Sequence, residues 1–208
     1  YLSGSFSFDE RPTLYVAVET GLTPAEATLN GLFDGIPIAG SAPADHSLAI
    51  TSDGSELWNV PVASITIGIA SGNIFAGYLN GAVPLDANGN ISQAGLLSQG
   101  AVGLYMSNVA VGLAMLRAPP LSNVLTASSV AAAAVSAAEM SFFSLKADAA
   151  SVALVGIPDL TLSSTDLEIR VNQGNAAGVW VGGISGAEPV VNYQDSFPTT
   201  NGLQIPTD

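Results

Sequence analysis

Val60-Pro61-Val62-Ala63-Ser64-Ile65-Thr66-Ile67-Gly68-Ile69-Ala70-Ser71-Gly72 is the stretch that decides the fold class. Ile65, Ile67 and Ile69 fall on one side of an extended chain, and Ser64, Thr66 and Gly68 on the other. A helix would scatter these residues around its circumference; only a period of two sorts them. The same alternation recurs in Ser5-Phe6-Ser7-Phe8, in Leu14 to Glu19, in Leu104 to Leu116 and in Phe142 to Ile157. It returns at Ser47 to Thr51, Leu160 to Leu162, Leu167 to Val171 and Val179 to Val181. Turn formers punctuate these runs: Ser52-Asp53-Gly54-Ser55, Asn80-Gly81, Asn88-Gly89-Asn90 and Gly174-Asn175. The pattern predicts an all-β protein with several strands longer than the usual five or six residues.

Small residues on alternate positions let β layers approach closely. The expectation is therefore an elongated module of long strands, a β-solenoid or a sandwich-like stack. One segment breaks the period. Val124 to Met140 contains Ala131-Ala132-Ala133-Ala134 and follows Pro119-Pro120, with Ser122 available as an N-cap, so a short helix is admitted near 124–140. The β-rich module is drawn over 1–186. Residues 187–208, with Pro189, Pro198 and Pro206, read as an extended connecting segment.

Composition narrows the setting. Seventeen acidic and four basic residues give a net charge of −13 over 208 residues, yet only 10% of residues are charged and 48% are hydrophobic. So much apolar material excludes an acidic disordered chain. Four Lys/Arg exclude a nucleic-acid interface. With no cysteine, disulfide frameworks, thiolate metal sites and cysteine nucleophiles are excluded. No apolar run approaches the ~20 residues of a membrane-spanning helix.

Candidate sites are few. Asp45-His46-Ser47 holds the single histidine, but triad members converge from separated positions, so these neighbours read as a loop. Asp86, Asn88 and Asn90 place oxygen side chains at alternate positions and form a weak calcium candidate. Leu97 stands where an EF-hand would carry its glutamate, so the EF-hand pattern fails and a polar hairpin tip is the competing reading. Glu168 and Arg170 lie two apart on one strand face and read as a surface ion pair. Phe6, Phe8, Tyr15, Phe142 and Phe143 sit in alternating strands and are expected in the core.

Several strings in order resemble a repeated module of very large, acidic, cysteine-poor secreted bacterial proteins, some of which carry calcium-binding nonapeptide repeats. They are Tyr1-Leu2-Ser3-Gly4-Ser5-Phe6-Ser7-Phe8, Phe75-Ala76-Gly77, Val102 to Leu116, Ala147 to Ile157 and Leu160 to Asn172. The segment from Pro119 to Met140 departs from the shortest form of that pattern as an insertion. The resemblance brings no catalytic residues. It implies a structural unit at an extracellular or cell-surface location, and Tyr1 and the final Gln204-Ile205-Pro206-Thr207-Asp208 read as ends cut from a longer chain. No strong tandem self-similarity is present, so any repeat period is close to the length of this sequence or longer.

The expected function is a structural repeat of a filament, sheath or matrix, with copies of itself or neighbouring repeats as partners, no enzymatic activity and no cofactor beyond calcium. The first alternative is a calcium-dependent adhesin or carbohydrate-binding module using Trp58 and Trp180. The second is a β-helical polysaccharide-degrading enzyme, which would need a groove gathering Asp9, Glu10, Lys146, Asp166, Glu168 and Arg170.

Overall fold

The computed structural model describes residues 1–25, 36–120, 139–157, 163–175 and 188–206. Strands hold 59% of these and helices 7%, so the all-β expectation holds. Their order is β1 (Leu2–Glu19), β2 (Ala49–Ile50), β3 (Glu56–Tyr78), α1 (Gln93–Ser98), β4 (Val102–Ala118), β5 (Met140–Val155), β6 (Ser163–Asn175), β7 (Val190–Asn192) and α2 (Tyr193–Ser196). The helix expected near 124–140 lies outside the described residues, save for Glu139 and Met140, the second of which opens β5. The strands expected at 160–162 and 179–181 lie outside them too, as does Trp180.

All seven strands belong to one open antiparallel sheet, in the order β6-β5-β4-β3-β1-β7, with β2 pairing β3 off this path. β3 has 23 residues and outreaches β4, whose pairing begins at Ala63. β2 takes up the lane left over, setting Ala49 against Trp58 and Ile50 against Leu57.

An irregularity recurs at one level on four of the strands. Gly4 on β1, Ser71 on β3, Asn108 on β4 and Asp166 on β6 all have positive φ. The registers place Gly4 beside Ser71 and Gly72, Gly72 opposite Val109, and both Asn108 and Asp166 level with Ala150 of β5. Gly4 is required there: a Cβ would overlap the Gly72 backbone. Breaks of this kind bend a strand and increase its local right-handed twist.

Between this line and the far end of the sheet the two faces differ sharply. One carries the cross-strand rows Phe6–Ile69–Val111–Ala147–Ile169, Phe8–Ile67–Leu113–Leu145–Val171 and Glu10–Ile65–Met115–Phe143–Gln173. The other carries Ser7–Gly68–Gly112–Lys146–Arg170 and Asp9–Thr66–Ala114–Ser144–Asn172. Alternation predicts that the apolar rows form the core. The structure reverses this: Phe6 is 61% exposed and Phe8 60%, while Ser64 and Thr66 are buried. The expectation that Phe6, Phe8 and Tyr15 are core residues is thus corrected, although Phe142 is buried as expected.

The reason is the C-terminal segment. Residues 188–206, read from sequence as connecting chain, lie back over the small-residue face. β7 pairs with Ala17–Glu19 of β1, and the Tyr193 hydroxyl donates to Ser144 Oγ at 2.9 Å. Leu203 and Ile205 join a core of Val16, Val18, Leu57, Val60, Val62, Leu116 and Phe142. Ser7 Oγ donates to the Pro206 carbonyl, directly over Gly68, where any Cβ would overlap that carbonyl. Glycine and serine let a backbone settle on the sheet; the isoleucine face offers no such bed.

A second core lies at the other end, where Phe75 and Tyr105 meet Ile91 and Leu96 of the excursion between β3 and β4. Within that excursion α1 is capped by Ser92, whose side chain accepts from Gly95 N. Sequence reading placed no helix there.

Candidate functional site

Each of the four cations has an acidic partner. Arg11 pairs with Asp9, Arg117 with Glu139, Lys146 with Asp148 and Glu168, and Arg170 with Glu168. The expected Glu168–Arg170 pair is present: Arg170 Nε donates to Glu168 Oε1 at 2.7 Å, and this holds the Glu168 carboxyl below the usual carboxylate range. Lys146 and Arg170 line a groove of about 620 Å³ between β4–β6 and the segment Asn201–Ile205. Its floor is hydrogen-bonded: Tyr193 donates to Ser144, and Ser144 donates to Asn172 Oδ1 at 2.9 Å.

Of the residues a polysaccharide-degrading site would need, Lys146 and Arg170 line this groove, and Glu168 pairs with both. Asp9 pairs instead with Arg11 on β1. Glu10 belongs to the apolar face, in the row of Ile65. Asp166 sits on the line of sheet irregularities.

The histidine loop is local structure. Asp45 Oδ1 accepts from Ser47 N and Ser47 Oγ at 3.0 and 2.7 Å, while the His46 ring stacks on Tyr15 at 4.5 Å between centroids. His46 also has positive φ. Trp58 is only 8% exposed, so its ring is enclosed rather than presented to a sugar.

Asp86, Asn88 and Asn90 occupy a tight hairpin tip closed by the Leu85–Ile91 bridge. Asp86 Oδ1 accepts from the backbone amides of Asn88 and Asn90 at 2.8 and 2.9 Å, the work of a turn-forming aspartate. Asp86→Ala is therefore expected to cost about 1 kcal/mol in EDTA and in calcium alike, read by chemical denaturation. A calcium-induced stabilisation of the parent chain that the variant loses would instead make the tip a cation site.

A carboxyl that sequence reading missed is Glu56, paired across the ladder with Glu19 and 9% exposed. Burial pushes its pKa up to about 7, and the Asp195 charge adds to this, although Asn192 Nδ2 donates to Oε1 at 3.0 Å. The same Asn192 Nδ2 lies 2.9 Å from Asp195 Oδ2, bridging two acids brought together by the C-terminal segment. Glu56 and Asn192 are 136 positions apart in sequence, so no local motif could have revealed the pair.

The fold and these sites define an all-β protein organised around one open antiparallel sheet, with its C-terminal segment laid across the small-residue face. Comparison with protein families, curated proteins and solved structures found no match.

Proposed function

We propose that this chain is a structural unit of an extracellular or cell-surface filament, sheath or matrix, in which successive copies or repeats pack into a continuous β assembly. The observation that carries the reading is the pair of long sheet edges. β1 pairs β3 on one side, and on its other side β7 reaches only Ala17–Glu19, which leaves the edge from Leu2 to Val16 without a strand partner among the described residues. β6 pairs β5 alone among them, along Ser163–Asn175. Edges of this length are templates for another chain's strands.

Joining one copy's β1 to the next copy's β6 would be a head-to-tail contact, and such contacts propagate into fibres when the rotation does not close. The stack of long strands expected from the sequence would arise in this way between copies. A net charge of −13 supports the reading by keeping neighbouring fibres apart in solution.

Electron microscopy of the concentrated protein, with and without calcium, is expected to reveal fibres or sheets with a regular axial repeat. Monodisperse globules in both conditions would sink the proposal.

A further inference from the structure

We infer that the apolar face of the sheet, which no described segment covers, is a docking surface for a second copy of this chain, packed face to face as a two-layered sandwich. The inference rests on the assembly reading in taking another copy as the partner, and adds to it a contact distinct from the sheet edges.

Three cross-strand rows over five strands make up the face. All positions in them are apolar except Glu10 and Gln173, which sit at two corners. With strands about 4.8 Å apart and same-face residues about 6.8 Å apart, the patch covers roughly 500 Å². That lies within the range of patches that on monomeric proteins tend to be functional. Two such faces in contact would bury roughly 1,000 Å², the lower bound for a specific interface. Its most exposed side chains lie at its two sides, Phe6 and Phe8 on β1 and Ile169 on β6, and inner-face side chains of this kind interdigitate when two sheets pack.

Charge argues in the same direction. The ion pairs of Lys146 and Arg170 belong to the opposite face, so two copies meeting here bring Glu10 as the single charged group of these rows. Lipid is the other solvent an apolar sheet face suits, but the sheet is open, and unpaired strand edges are not tolerated in hydrocarbon. A second protein layer keeps both edges out of hydrocarbon and leaves them accessible to neighbouring copies.

The absence of cysteine makes the test direct. Leu113→Cys, at the middle of the face, is expected to form intermolecular disulfides under mild oxidation, whereas Ser98→Cys, exposed on α1, is not. Phe8→Glu alters a side chain exposed in the single copy; it should leave the fold intact by circular dichroism while weakening self-association roughly 30-fold in sedimentation velocity. Ile169→Glu should do the same from the other side of the face. Fibres that form without the Leu113→Cys cross-link, and unchanged by Phe8→Glu, would overturn the face contact and leave edge-to-edge assembly standing. A chain that stays monomeric at every concentration would overturn both. Monomers that instead float with phosphatidylcholine vesicles, a behaviour abolished by Phe8→Glu, would overturn the sandwich in favour of lipid.

Discussion

Phe75→Ala is expected to lower the unfolding free energy by about 3–5 kcal/mol, the cost of emptying a ring-sized site in a packed core. Phe75 is 1% exposed and meets Ile91, Leu96, Ala101, Tyr105 and Val155, with the Tyr1 ring stacked on it at 6.4 Å between centroids. This cluster holds the excursion containing α1 against β3 and β4. The larger cluster around Leu57 and Phe142 lies at the other end of the strands. The loss should therefore appear first as weakened protection of amides at Ile91 to Ala101 in hydrogen exchange, with Val16 to Val18 affected only through global unfolding. Urea denaturation checks the magnitude, and a cost below about 1 kcal/mol would mean that the cluster contributes little to the fold.

The second large effect comes from Glu56, whose pKa is pushed up to about 7 from an ordinary 4.5. Below pH 4.5 the proton is bound in both the folded and unfolded states, so this group makes no difference to stability. Between 4.5 and about 7 the unfolded chain releases it while the folded chain keeps it. Stability therefore falls as pH rises through that window, and above 7 the full penalty of a buried carboxylate is present. Glu56→Gln keeps an oxygen to accept from Asn192 and carries no charge. It is expected to stabilise the protein at pH 8 on the order of 2 kcal/mol and to leave stability at pH 4 unchanged. Parallel urea titrations at the two pH values read this out; an equal effect at both would show that folding does not shift the Glu56 pKa.

Much of the architecture was legible residue by residue. Strands β1, β3, β4, β5 and β6 follow from runs such as Ile65 to Ile69 and Leu113 to Met115, because a period of two has only one regular backbone solution. The turns at Asp53-Gly54 and Asn88-Gly89 follow from backbone freedom and short polar side chains, and Gly54 and Gly89 do have positive φ. The Glu168–Arg170 ion pair was legible as well, since two residues on one strand face need no fold to meet.

The charged groove and the Glu56 site were not legible. The first joins β5 and β6 to a segment near the end of the chain, and the second depends on Asn192 and Asp195. Short α1 escaped notice because its six residues lie within a polar, glycine-containing excursion and carry no sustained helical period.

By itself, then, the sequence determined that this chain makes long β strands, that each strand has an apolar and a small or polar side, and that Glu168 and Arg170 would meet. Those are local consequences of residue size, charge and alternation. Which side faces inward was decided by the tertiary structure alone. The C-terminal segment needs a surface that backbone can approach, and Gly68, Gly112 and Ser7 provide one where Ile67, Leu113 and Phe8 do not. Covering the small-residue face left the apolar face outward. No alternation pattern contains that choice, because both faces alternate equally well.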